Sequence, residues 1–234
     1  MEDTVFENIP FQLDIDALRQ QLRIKEGSAN EEDLIAFGKE AESVARPKAL
    51  YRVVYFDTLD DDQVIIDGIS LKSHVLKVNI QEAHRVFPFV ATCGTEIEEW
   101  SKSQDDVVKR FWGETIKGFT LQAVFKFLDK QLKSHFDLER TSIMTPGSIQ
   151  DWPIQEQQPL FEILGSLTSQ IGVEINESML MNPVYSVSGI LFPTEVKFEN
   201  CQLCPRENCP GRRAEYEPDL YDEKYKLAVK IDQG

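Results

Sequence analysis

The chain has 234 residues, 41% of them hydrophobic and 10% aromatic, enough to bury a sizeable core in one domain with elaborations. Forty Asp and Glu against 25 Lys and Arg leave a formal charge of -15, which repels phosphate backbones and anionic membrane surfaces over roughly 8 Å at physiological salt, so neither nucleic acid nor membrane is expected as a partner. No apolar run approaches the roughly 20 residues that span a bilayer, the Met1-Glu2-Asp3 start has no signal pattern, and a cytoplasmic protein is expected.

From Ile9-Pro10 onward Leu13, Ala17, Leu18 and Leu22 recur at helical spacing, with Asp14 and Asp16 near the start, which predicts a first helix. Residues 27–30 break it. Residues 31–33 open a second helix whose apolar positions Leu34, Ile35, Phe37, Ala41 and Val44 continue until Arg46-Pro47 stops it. Residues 51–56 and 63–66 are β-branched and aromatic runs, and the acidic stretch between them predicts an antiparallel pair joined by a solvated turn. Residues 86–91 are nearly all apolar, as in a strand lying centrally in a covered sheet.

After Thr92-Cys93-Gly94 the pattern turns helical, with Ile97 and Trp100 on one face. A longer helix is expected over residues 107–132, where Phe111, Ile116, Phe119, Leu121, Val124, Phe125 and Leu128 are plentiful enough to bury it on two sides. Residues 161–167 read as a short helix, 171–176 as a strand, and 186–192 as a strand leading toward the cysteines; residues 215–226 read as a docked or frayed terminal segment. No internal repeat is present.

Over residues 146–192 the order of features is distinctive: Pro146-Gly147-Ser148, Asp151-Trp152-Pro153, Gln157, Leu160-Phe161-Glu162-Ile163-Leu164, Ile171-Gly172-Val173, Asn176-Glu177-Ser178, Pro183 and Ser186-Val187-Ser188-Gly189. This order resembles the reactivation domain of cobalamin-dependent methionine synthase, in which a Pro-Gly-Tyr loop precedes a helix, a Gly-containing strand, a Glu-Ser step and a Ser-Val-Ser-Gly strand. The resemblance implies an α+β fold, a twisted, mainly antiparallel sheet flanked by helices, over residues 1–198, with 199–234 as a cysteine-rich segment packed on it. It also implies S-adenosylmethionine as ligand, with Pro146, Gly147, Ser148, Glu177, Ser186, Ser188 and Gly189 in the binding region. The implied partner is a corrinoid-binding protein or methyltransferase domain, which carries the cobalamin while inactive cobalt(II) is reduced and remethylated.

The chain departs from the family at the positions that touch the ligand. Ser142-Ile143-Met144-Thr145 stands where the family has an arginine, Ser148 replaces the loop tyrosine, Leu191 the tyrosine after Ser-Val-Ser-Gly, and Gln122 an acidic position on the long helix. Neither isoleucine nor serine supplies a planar charged fork. Losing a charged donor, a charged acceptor and two aromatic hydroxyls removes most groups that would orient a zwitterion, leaving Glu177 and Arg140 as charged substitutes nearby.

Three of the four cysteines, Cys201, Cys204 and Cys209, fall within nine positions, a spacing that in a reducing compartment points to metal chemistry. A Cys-x-x-Cys turn lets two sulfurs face one ion at about 2.3 Å, and the third closes a cup. Cys93 is either the fourth ligand or a small buried hydrophobe. Zinc and an iron–sulfur cluster both suit four thiolates; the resemblance tips the balance to iron–sulfur, because reducing cobalt(II) needs an electron source. The alternative is a zinc-stabilised interaction module without redox activity. Arg206, Arg212 and Arg213 surround the loop, either offsetting thiolate charge or as ordinary surface residues. His74, His84 and His135 fall in no metalloprotease or zinc-finger spacing, and no catalytic residue is assigned.

Overall fold

The computed structural model describes residues 2–226 except 61 and 210; Met1, Asp61 of the acidic stretch, Pro210 of the thiol loop and 227–234 of the cysteine-rich segment lie outside the described residues. The chain runs β1 (Glu2–Phe6), α1 (Ile15–Gln21), α2 (Ala29–Val44), β2 (Lys48–Val53), β3 (Thr58–Asp60), β4 (Gln63–Ile66), β5 (Ile69–Lys72), α3 (His74–Ile80) and β6 (Phe87–Thr92). It continues through α4 (Thr95–Lys102), α5 (Val107–Phe136), β7 (Thr141–Met144), α6 (Gln157–Leu164), α7 (Leu167–Gln170), β8 (Glu174–Ile175), β9 (Met181–Asn182) and β10 (Ser186–Pro193). Short helical turns follow at Asn200–Leu203 and Tyr221–Tyr225.

Five strands form one antiparallel sheet in the order β1-β2-β6-β10-β7. β6 is its centre and all six of its residues are buried, as the unbroken apolar run predicts. Strand alternation sends Ala49, Tyr51, Phe87, Phe89 and Leu191 to one face, where Val124, Leu128 and Leu132 of α5 cover them. Leu50 and Val90 point to the other face and meet Phe161 and Leu164 of α6. On that same side Ile190, Phe192 and Met144 pack with α3 and with Val64, Ile66 and Leu71 of the small sheet β3-β4-β5. The architecture is α+β, an antiparallel sheet flanked by helices.

Local chemistry fixes the helix ends. The Asp14 carboxylate accepts from the Ala17 amide at 2.9 Å at the start of α1, and Asp106 accepts from Val108 and Lys109 at 2.7 and 3.1 Å at the start of α5. α5 closes on Asp137, whose left-handed conformation (φ 51°) turns the chain toward β7.

Two expectations from sequence are corrected. Residues 51–56 and 63–66 do not pair with each other: β2 pairs with β1 and β6, whereas β4 joins a separate sheet between β3 and β5. The acidic stretch is itself strand at β3, and the pairing followed backbone registers that side-chain type does not encode. The strand expected over 171–176 shrinks to β8, because Gly172 at φ 69° bends the backbone and leaves Ile171 and Val173 as core plugs. Among the described residues no helix is long and apolar enough to cross a membrane.

Candidate functional site

The Pro-Gly loop follows edge strand β7. Gly147 takes φ 81°, a conformation that lets its amide donate to the Trp152 carbonyl at 2.7 Å. The hydroxyls of Thr145 and Ser148 hydrogen-bond across the turn, and Trp152, fully buried, anchors it from beneath. Pro146 is buried in this turn, while Gly147 and Ser148 are exposed.

The Ser-Val-Ser-Gly strand faces inward. Ser186 donates to Thr92 Oγ1 at 2.8 Å and Ser188 donates to Gln157 Oε1 at 3.1 Å, so both hydroxyls tie β10 to its neighbours. A Cβ on Gly189 would stand 2.4 Å from the Met144 carbonyl oxygen, so glycine here permits the close approach of β7. Glu177 is exposed in the turn between β8 and β9, which Asn176 organises by accepting from the amides of Ser178 and Leu180. Glu177 and Arg140 do not share a cleft: Arg140 lines a cleft of about 1180 Å³ with His84, Arg85, Glu139 and Lys224, and its guanidinium donates to the Glu195 carbonyl.

Beyond β10 the chain returns along the outer side of β7. Glu199 bridges Ile143 in parallel, the Phe198 amide donates to Ser142 Oγ at 2.7 Å, and Asn200 Nδ2 donates to Thr145 Oγ1 at 3.1 Å. The cysteine loop is then closed by arginine side chains and by the Gln202–Glu217 contact. Arg212 donates to the carbonyls of Cys201, Cys204, Arg206 and Ala214, which closes the loop on itself. The Arg213 amide approaches Cys201 Sγ at 3.4 Å, and its guanidinium pairs with Glu199 at 3.0 Å. Two of the three arginines are therefore structural members of the loop.

Cys201, Cys204 and Cys209 are half-buried on this loop, but Cys93 is not with them. Cys93 is fully buried among Leu34, Phe37, Ala41, Ile97, Trp112 and Ile116, whereas the segment leading into the thiol loop packs through Phe198 and Leu203 on the core around Trp152. Burial, with the nearby Glu98 charge, pushes the Cys93 thiol up to about 12. This corrects its assignment as fourth ligand: it is a small apolar plug, its thiol directed at the Gly94 carbonyl at 3.6 Å. Among the described residues no group of three or more His, Cys, Asp or Glu is placed to hold a metal ion.

No family model matches the chain, and no curated protein matches it. Among solved structures, the crystal structure of the MetH reactivation domain bound to AdoHcy is similar, with a TM-score of 0.58 and 14% identity, over 99% of this chain and 88% of that one. The chain has the MetH reactivation domain fold. Within that fold, the residues that the sequence reading set against the family's ligand contacts fall into different surroundings. Ser142 and Leu191 are buried and committed, Ser142 to the Phe198 amide and Leu191 to the α5 core. Gln122 and Ser148 are exposed.

Sequence reasoning passed over two features. Lys117, in the middle of α5, is 1% exposed and donates to Glu98 of α4 at 2.8 Å and to Glu114 at 2.7 Å, a buried ion network between two helices. A lysine on an apolar helix reads as surface, and its partner lies on another element. The second feature is a cleft of about 430 Å³ between the Pro-Gly loop and the returning terminal segment, lined by Asp151, Leu203, Tyr216, Glu217 and Tyr221 among others. Its walls come from opposite ends of a long sequence separation, which no local pattern joins.

Proposed function

We propose that this protein is an accessory of cobalamin-dependent methyl transfer that docks on a corrinoid-bearing domain and assists its reductive reactivation. The observation that carries this reading is the likeness of fold to the MetH reactivation domain over 99% of the chain. That neighbour is bound to AdoHcy. Here Ser142 and Thr145 bond the returning segment, Leu191 packs under α5, and Gln122 and Ser148 bring no charge, which favours docking over turnover of S-adenosylmethionine. Of the candidate ligand residues, Pro146, Gly147 and Ser148 then shape the loop after edge strand β7, Ser186, Ser188 and Gly189 fit β10 to its neighbours, and Glu177 stays exposed in the β8–β9 turn.

The finer part of the proposal concerns the cysteine loop. Cys201, Cys204 and Cys209 lie half-exposed on one Arg212-closed loop, which supports a redox or structural role through zinc or an iron–sulfur cluster. The thiols must draw together for this to occur, and any fourth ligand must come from outside Cys93.

The deciding experiment mixes the anaerobically purified chain with a methionine synthase cobalamin domain carrying cob(II)alamin. Co-elution on gel filtration with a perturbed cob(II)alamin spectrum is expected; separate elution and an unchanged spectrum would overturn the docking reading. Metal analysis of the same preparation tests the loop: iron with sulfide supports the redox centre, one zinc supports the interaction module, and metal-free protein removes both. Calorimetric titration with S-adenosylmethionine should give no heat at millimolar ligand.

A further inference from the structure

The cleft between the Pro-Gly loop and the terminal segment has a chemistry of its own. Tyr216 and Tyr221 leave 44% and 37% of their surfaces open there, in a chain whose other large aromatics are mostly packed. Ile149, Leu203, Pro205 and Pro218 add apolar wall, and Gln150 adds a polar amide. Two carboxylates stand at the same cleft. Asp151 uses Oδ2 to accept from Ser73 Oγ and the Val75 amide, and Glu217 uses Oε1 to accept from Gln202; among the described residues these are neutral donors. Among the described residues no Lys, Arg or His lines the cleft. The Tyr221 hydroxyl is pushed up first by burial and then by the charges of Asp151, Asp62 and Asp222, against which Lys226 acts.

An anion is repelled by such a site, and a small hydrated metal ion gains nothing from its tyrosines and prolines. An ammonium group wrapped in methyl or methylene carbons suits both features at once: its charge is attracted to the ring faces and the carboxylates, and its alkyl shell meets the apolar walls. We propose that this cleft binds an alkylated ammonium group. The group comes either from a free small amine or from a lysine side chain of a docking partner.

Calorimetry on the full chain separates the two sources, with choline standing for the free amine and N-acetyl-lysine amide for the side chain. Saturable binding of either one supports the site and names its source. The neutral choline isostere 3,3-dimethylbutanol should not bind. Tyr216→Leu should weaken binding at least 10-fold and Tyr216→Phe should restore it, because the ring face rather than the hydroxyl holds the cation; both variants should melt with the parent. Absence of binding by both cations at millimolar concentration, equal binding of the neutral isostere, or indifference to Tyr216→Leu would overturn the proposal. The measurement needs no corrinoid protein, so its outcome is independent of the docking reading.

Discussion

Lys117 shows how a single buried charge is kept. With 1% of its side chain exposed, it lies between Glu98, 5% exposed, and Glu114, and its ammonium sits 5.2 Å from the Tyr185 ring centre. Burial by itself pushes the Glu98 carboxyl up, but hydrogen bonds from Lys117 and Lys102 outweigh it and hold the group below its ordinary value. Burial likewise disfavours the Lys117 ammonium, and the Glu114 and Glu98 hydrogen bonds outweigh it to hold that group above its ordinary value. A carboxyl held low contributes stability that is present above its unfolded value and lost as pH falls through the folded one. An ammonium held high contributes stability that is present below its unfolded value and lost as pH rises through the folded one. Lys117→Met strands Glu98 with only the exposed Lys102, and should cost about 3 kcal/mol in denaturant unfolding at neutral pH. Adding Glu98→Leu should recover most of that loss and reduce the acid limb of the stability profile to the part left by Asp3, held low by Arg52, and Glu96, held low against its burial by Lys48. If the double variant is as unstable as the single one, the network is not the source of the effect. Cys93 makes the complementary point about reading residues from sequence. Its neighbours in the chain, an apolar strand and a glycine, fit both a ligand at a cleft and a core plug. The choice was made by α2, α4 and α5, which bring Leu34, Ile97 and Trp112 around it.

At the level of elements, β6 was readable because burial on both faces writes an unbroken apolar run, and α5 because Trp112, Ile116, Val124, Leu128 and Leu132 recur at helical spacing on one buried stripe, although Phe111, expected to bury with them, is exposed. β1, an edge strand with a mixed Glu-Asp-Thr-Val-Phe sequence and exposed first residues, carries no such pattern, and β7 is too short to show one. The Pro-Gly and Ser-Val-Ser-Gly motifs were readable as motifs, but their hydrogen bonds were not. Which face Ser186 and Ser188 present depends on the register of β10 against β6. Gly189 links the two kinds of information, because its small size is visible in the sequence and its reason is visible only in the sheet. Gly189→Ala would drive a Cβ to 2.4 Å from the Met144 carbonyl oxygen, a backbone atom that can give way only if β7 moves. The variant should lose about 1–3 kcal/mol by overpacking, read as a lowered urea midpoint with an unchanged slope. Gly118→Ala is the control. Its Cβ meets only the Tyr185 ring at an ordinary 3.5 Å, in a helix interior, so it should leave stability unchanged or raise it by up to about 1 kcal/mol.

Across the whole molecule, the question is whether the cysteine-rich segment is an attachment or a part of the fold. Its tyrosines sit among acidic residues, so the sequence left residues 215–226 between docked and frayed. The structure places Tyr225 at zero exposure in the core around Trp152, with Leu203, Leu220 and Phe198 packed on the same cluster. The Tyr225 carbonyl accepts from His74 Nε2 at 3.0 Å, and its hydroxyl donates to Asn79 Oδ1 at 3.2 Å, so α3 is held from both ends of one residue. Upstream, Glu199 and Asn200 complete the edge that β7 leaves open. A chain ending at residue 198 would therefore lose part of its main core, expose the strand edge at Ile143 that Glu199 bridges, and take from Thr145 the bond donated by Asn200. Tyr225→Ala isolates the largest single piece of that loss. Removing a fully buried aromatic ring should cost about 3–5 kcal/mol, which for a domain of this size lowers the melting temperature by roughly 10 °C. The chain ending at 198 should fall further, with a broadened melt and dye binding at its exposed core. An unchanged melting temperature for either variant would make the segment a separable addition rather than the side of the molecule that closes the sheet.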